Sequence, residues 1–280
     1  MLRWQIGDVR ITRVQELELP GLKWLLPDAT AENLKQIDWI GPFVDESGEA
    51  LASVHALLIE TPDRTVVVDT CIGNDKSRTI PAWNNRQSNF LDVFDSAGAG
   101  VAAVDAVVCT HLHVDHVGWN TRLVDDRWVP TFENARYLLG RVEWEHWNND
   151  EDAVQQQVMA DSVRPIFDAD LVDLVETDHK ICDEISLEPT PGHTPGHVAV
   201  RISSQGEEAV ITGDLMHHPA QIAHPEWVAN ADTDRSQAID TRRKFLDQYA
   251  DRPVLVIGTH FAGPTAGKFV RDGDLYRFDV

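Results

Sequence analysis

The residues best equipped for chemistry are crowded into one run, His111-Leu112-His113-Val114-Asp115-His116. In an extended segment residues i and i+2 project to the same face, so His111 and His113 can offer both imidazoles to one ion. Asp115 and His116 follow where the chain must turn. So short a run cannot easily fold four side chains onto one centre, and two adjacent ions satisfy the geometry. Imidazole together with carboxylate favours zinc, iron, manganese or cobalt over magnesium or calcium. Three later residues can join such a site. Pro191-Gly192-His193-Thr194-Pro195-Gly196-His197 holds His193 in a glycine-bracketed turn with no helical or strand period. Asp214 and His260 each terminate an apolar run, and open α/β sheets gather ligands at the carboxyl ends of their strands.

The elements that must position these residues are legible as β-branched runs. Val66-Val67-Val68 leads into Asp69, Val107-Val108-Cys109-Thr110 into His111, Val210-Ile211-Thr212-Gly213 into Asp214, and Val254-Leu255-Val256-Ile257-Gly258-Thr259 into His260. Each reads as a buried strand. Between them lie three helical patterns: 89–97 with Phe90, Phe94 and Ala97 on one face, 152–167 with Val154, Val158 and Ile166, and 234–249 with Ile239, Leu246 and Tyr249. Interleaved strands and helices give α/β layers. No linker, repeat or low-complexity block interrupts the chain, so residues 1–280 read as a single domain. Residues 20–50 and 73–88 read as long irregular segments, the kind that wall a substrate site or a subunit contact.

Bulk properties exclude several classes of function. A formal charge of −22, from 24 basic and 46 acidic side chains with no basic cluster, opposes binding to nucleic acid. No stretch approaches the ~18 apolar residues of a membrane span, and the N-terminus carries no secretory pattern. Cys71, Cys109 and Cys182 are odd in number and form no C-x-x-C pair, which fits a reducing cytoplasm. His55, His146, His179 and His224 lack ligand context and read as structural or surface residues.

H-x-H-x-D-H, a later G-H-T-P-G-H, a strand-ending G-D and a final strand-ending T-H together resemble the metallo-β-lactamase fold superfamily. The signature spans residues 69 to 260. The resemblance implies a four-layer αβ/βα sandwich and two divalent metal ions, zinc before iron, manganese or cobalt. It places His111, His113 and His193 on one ion and Asp115, His116 and His260 on the other, with Asp214 bridging. Asp69 would orient ligands without binding metal itself. Within the superfamily the pattern looks like the lactonase and organophosphate-hydrolase group. This implies cleavage of a lactone, ester or phosphotriester bond in a small-molecule substrate by a metal-bridging hydroxide, with Asp115 handling the proton and a homodimer as the assembly. Acyl-homoserine lactonases similar to this chain often carry a tyrosine three residues after the bridging aspartate; here that residue is His217, which can steady an oxyanion or relay a proton, as can His218 beside it. Trp119, where relatives often have glycine, is expected to wall an apolar substrate pocket. The alternatives are a glyoxalase II-like thioesterase and, from another class, an iron-binding redox protein of the same fold. No flavin-binding region is visible to supply the latter with electrons.

Overall fold

In the computed structural model, which describes residues 1–98 and 100–280, the alternating N-terminus folds into a hairpin of β1 (Arg3–Ile6) and β2 (Val9–Pro20). An irregular excursion follows, carrying the one-turn helix α1 (Ala31–Leu34), whose first turn is capped by the Thr30 hydroxyl. The chain continues through β3 (Leu51–Glu60), β4 (Thr65–Val68), α2 (Phe90–Ala97), β5 (Ala106–Cys109), the hairpin β6 (Thr121–Val124) and β7 (Arg127–Pro130), and β8 (Arg136–Gly140). Helices α3 (Arg141–Asn148), α4 (Ala153–Val158) and α5 (Arg164–Asp168) then lead to β9 (Val172–Val175). The remainder comprises β10 (Ile185–Pro189), β11 (Val198–Ser204), β12 (Glu207–Ile211), α6 (Ala220–Ala223), α7 (Arg235–Tyr249), β13 (Val254–Ile257), β14 (Ala266–Asp272) and β15 (Leu275–Asp279).

These elements group into two compact units, the first of Met1–Glu16 and Val54–Thr177, the second of Leu17–Ser53 and Asp178–Val280. No linker marks the first two boundaries because the chain changes unit inside β2 and inside β3.

The sheet of the first unit has the order β1-β2-β3-β4-β5-β8-β9, with β4, β5, β8 and β9 mutually parallel. Parallel strands are covered on both faces, which is why Val66, Val67, Val68, Val107 and Val108 form unbroken apolar runs. Because β4 and β5 run side by side in one direction, Asp69 and His111 emerge at the same edge. In the second unit the sheet order is β10-β11-β12-β13-β14-β15, and its one parallel pair, β12 and β13, delivers Asp214 and His260 to one edge in the same way. Phe43, Phe261, Phe269 and Phe278 interlock beneath it, with Phe261 and Phe278 edge to face at 5.5 Å.

The helical pattern over 152–167 begins at the Asp152 cap, as expected, but it is not one regular helix. Residues Met159–Val163 form a π turn between α4 and α5. Pro165 supplies the reason: it has no N–H for the carbonyl of Asp161, four residues back. That carbonyl accepts instead from Lys76 Nζ at 3.1 Å and from the Thr121 hydroxyl. Val154, expected on the buried face, is exposed, while Val158 and Ile166 are buried. On α7, capped by the Asp234 carboxylate, the buried face is Ala238, Arg242, Phe245, Leu246 and Tyr249, and Ile239 is only half-buried. Among the described residues no helix is long and apolar enough to cross a membrane.

Candidate functional site

In the first unit β5 stops at Cys109, so residues 111–116 lie in a tight loop rather than in the extended segment expected from the sequence. The two imidazoles nevertheless meet: His111 Nε2 is 3.0 Å from His113 Nδ1. Two ligands bound to one ion at about 2.0–2.1 Å sit roughly 3–3.4 Å apart in octahedral or tetrahedral geometry, so this spacing suits a shared metal. His116 packs on His111 with ring centroids 4.0 Å apart, and its Nε2 is 3.8 Å from Asp115 Oδ1. The loop is pinned along its main chain. Glu143 of α3 accepts from Leu112 N at 3.1 Å, Gln155 of α4 donates to Leu112 O at 2.9 Å, and Gly118 N and Trp119 N donate to Cys71 O and Thr70 O. A Cβ at Gly118 would lie 1.9 Å from Ile72 O, so only glycine fits there.

Asp69 sits behind this loop in a left-handed conformation, φ 58°. Its Oδ1 accepts from Thr110 N at 2.8 Å, and its Oδ2 lies 2.9 Å from His116 Nδ1. That contact assigns the proton of His116 to Nδ1 and makes Nε2 the ligating edge.

In the second unit three imidazoles surround one carboxylate. Asp214 Oδ1 is 3.0 Å from His260 Nε2, while its Oδ2 is 3.4 Å from His193 Nε2 and 3.1 Å from His217 Nε2. Asp214 itself is held by its backbone amide, which donates to His197 Nε2 at 2.8 Å, and His197 Nδ1 rests 2.8 Å from the Thr190 hydroxyl. The second histidine of G-H-T-P-G-H is therefore a clamp on the ligand-bearing turn. Gly213 must be glycine, since its φ is 55° and a Cβ would meet His197 Nε2 at 2.5 Å. His260 donates from Nδ1 to Ser53 O at 3.0 Å. His193 Nδ1 contacts Asp232 Oδ1 at 2.9 Å. Burial pulls His193 down to about 4 against the opposing pull of Asp232 and Asp214, which keeps the ring neutral, the form that binds metal. Burial also raises Asp232, but its hydrogen bond from His193 and the nearby Arg242 guanidinium help to bring it below the ordinary aspartate value.

Both donor sets fit divalent metal. Each is buried or half-buried and built of imidazole and carboxylate, and four of the rings, those of His111, His116, His193 and His260, have their Nδ1 engaged by protein oxygen. This is the chemistry of zinc and its transition-metal neighbours.

Two residues expected to face substrate do something else. His218 is fully buried, with Nε2 donating to Phe43 O at 2.9 Å and Nδ1 accepting from Ala220 N at 3.2 Å, so both nitrogens serve the fold. Trp119 is buried too: it stacks on Phe90 at 5.5 Å, and its N–H donates to Glu16 Oε1 at 2.8 Å. It packs the first unit and offers no polar edge to a ligand. His217, in contrast, is 1% exposed, and neither ring nitrogen makes a hydrogen bond among the described residues. Its main chain is fixed by donation to Gln221 Oε1 at 2.7 Å. Glu143, Gln155 and Asp232 carry no motif and nothing local in the sequence singles them out, while His197 stands inside G-H-T-P-G-H without its clamping role being readable there.

The model of the metallo-beta-lactamase superfamily matches residues 51–260. A probable metallo-hydrolase of Bacillus subtilis, YybB, is 24% identical over 210 residues, 74% of this chain and 80% of the relative. An N-acyl homoserine lactonase of a Bacillus species is 22% identical over 171 residues, and the match spans 56% of this chain and 61% of the lactonase. Among solved structures, AidC, a dizinc quorum-quenching lactonase in complex with a product, superposes with a TM-score of 0.80 at 21% identity, covering 99% of this chain and 96% of that one. The ordered ligand run, the strand-ending aspartate and histidine, and the match across three quarters of the chain agree: the protein belongs to the metallo-beta-lactamase superfamily and has its fold, and its relatives are metal-dependent hydrolases.

Proposed function

We propose that the chain is a binuclear metal-dependent hydrolase that opens a lactone, ester or phosphotriester bond in a small-molecule substrate. The observation that carries this reading is Asp214: imidazoles from separate segments face both of its oxygens, His260 at Oδ1 and His193 at Oδ2, as a carboxylate shared by two ions requires. In this reading His111, His113 and His193 hold one ion, Asp115, His116 and His260 the other, and Asp214 both. Two cations held there, zinc before iron, manganese or cobalt, would supply a bound water of pKa ~7 and Lewis acidity toward the scissile carbonyl or phosphoryl group. The chain's own residues do the rest. Asp115, with its carboxylate partly open to solvent, accepts and returns the proton. His217, beside the Asp214 carboxylate with neither ring nitrogen in a hydrogen bond among the described residues, steadies the charge that develops on the substrate oxygen. The lactonases among the relatives put lactones first, and His217, standing where the resemblance in sequence implies a tyrosine, points away from an acyl-homoserine lactone. The three free thiols suit a cytoplasmic enzyme.

The test is metal analysis paired with a panel of lactones, aryl esters, phosphotriesters and thioesters. Two redox-silent ions per chain and turnover of one ester-like class are expected, and His111→Ala and His116→Ala should each lower turnover by orders of magnitude in a folded protein. Near-wild-type turnover in both variants sinks the proposal, and selective thioester cleavage moves it to the glyoxalase II-like reading.

A further inference from the structure

Two histidines of the proposed ligand set, one in each unit, are held by the same device. In the first unit the dipeptide Asp69-Thr70 grips His116 at two points: the Asp69 carboxylate meets the ring at Nδ1, 2.9 Å away, and Thr70 N donates to the His116 carbonyl at 2.7 Å. In the second unit the dipeptide Asp232-Thr233 grips His193 identically. Asp232 Oδ1 meets Nδ1 at 2.9 Å, and Thr233 N donates to the His193 carbonyl at 2.9 Å. In both copies a main-chain amide satisfies the carboxylate's other side, Thr110 N at 2.8 Å on Asp69 and Ala229 N at 2.8 Å on Asp232. The two dipeptides leave different structures, a strand end and the turn before α7, so the likeness does not follow from a shared local fold.

We infer that Asp232 is a positioning residue for metal binding, fixing His193 as the Nδ1–H tautomer and orienting its Nε2 toward the ion shared with Asp214. A carboxylate on the remote nitrogen raises the basicity of the ligating one and removes the ring's rotational freedom, and both effects tighten metal binding. Asp232 differs from Asp69 in one respect. Arg242, fully buried on α7, stands 4.0 Å from Asp232 Oδ2 while its other nitrogens donate to the carbonyls of Leu215, Pro225 and Trp227. One buried cation thus ties the Asp232 turn to the segment that carries Asp214 and His217. Because the ligand Asp232 meets directly is His193, its loss is expected to loosen the His193 ion before the other.

This inference rests on the binuclear reading, and one experiment separates the two. Metal-free enzyme is titrated with Zn²⁺ and with Co²⁺ against a chromophoric chelator, for wild type, Asp232→Asn, Asp232→Ala and Asp69→Asn. The wild type should bind two ions; failure to do so overturns the binuclear reading itself. Asp232→Asn should weaken one ion about 10- to 100-fold and leave the other within a factor of two. Asp69→Asn should weaken the other ion, and the two Co²⁺ variants should differ in visible spectrum. A folded Asp232→Asn enzyme that holds both ions as tightly as wild type overturns the inference. A readout that needs no variant is the long-range ¹H–¹⁵N spectrum of metal-free wild type, where His193 should show the Nδ1–H pattern; the Nε2–H pattern overturns the inference equally.

Discussion

At the residue scale, position matters more than type. Twelve histidines occur in the chain, and His217 and His218 are neighbours with opposite duties. His218 spends both nitrogens on Phe43 and Ala220, whereas His217 leans its Nε2 within 3.1 Å of Asp214 without hydrogen bonding. His217→Phe is therefore expected to cut kcat about a hundredfold or more while both metals stay bound. Unchanged kcat in a fully metallated variant would remove His217 from the chemistry. Gly118 gives a second prediction of another kind. With Ile72 O 1.9 Å from where a Cβ would stand, Gly118→Ala must push the ligand loop off the segment that follows β4, at a cost of about 3 kcal/mol or more, read by denaturant unfolding of the metal-free protein. An alanine variant as stable as wild type would show that the loop yields easily. The ligand run, Asp214 and His260 were legible because metal chemistry confines them to few residue types and to strand ends. Asp232, His197, Glu143 and Gln155 were not, because each works through a partner 17 to 43 residues away, and an isolated Asp or Gln looks the same whether it caps a helix or orients a ring. Trp119 is ambiguous in the sequence for a related reason: an indole beside a site can wall it or pack beneath it, and its burial against Phe90 is visible only in the fold.

At the element scale, the four strands and three helices were readable from periodicity, since burial on both faces demands continuous β-branched runs and the caps Asp152 and Asp234 announce their helices. The π turn was not, although its cause, Pro165, is plain in the sequence: the loss of a helical hydrogen bond can be foreseen, but not what replaces it. The replacement is Lys76, fully buried, with its ammonium 3.7 Å from the Trp128 ring centre, 3.6 Å from Asp161 Oδ1 and donating to Thr121 Oγ1 at 2.7 Å. Burial pulls Lys76 down to about 7, against the attraction of Asp161. The sign follows from proton counting: between pH 7 and the ordinary lysine value near 10.5, the unfolded chain binds the proton more fully than the native one, so stability rises with pH over that window. For metal-free enzyme the rise is expected to approach, at most, about 1.4 kcal/mol per pH unit, and Lys76→Met should remove it. Denaturation midpoints at about pH 7 and pH 9, spanning that window, decide the matter, and equal slopes in both proteins would show that Lys76 keeps its proton throughout.

At the scale of the whole molecule the dominant fact is charge. Forty-six acidic side chains against 24 basic ones leave −22 near neutral pH, and the surplus is spread along the chain rather than held in a tail. Such a protein surrounds itself with a negative potential that reaches about a Debye length, ~10 Å at 0.1 M salt. Neutral lactones, aryl esters and phosphotriesters cross that field without cost. Hydrolysis of a lactone or ester releases a carboxylate, and of a phosphotriester a diester anion, so the same field that ignores a neutral substrate helps to expel its product. An anionic substrate would be turned away at the approach, before meeting the cations of the metal centre. The consequence is measurable with a matched pair of aryl esters, one neutral and one bearing a remote carboxylate. Raising ionic strength from about 20 to about 500 mM should lower KM for the anionic ester several-fold through screening and leave KM for the neutral ester nearly unchanged, with kcat steady for both. If the anionic ester instead binds better at low salt, attraction by the bound metals outweighs the field of the fold, and acidic substrates would have to be readmitted to the class this enzyme cleaves.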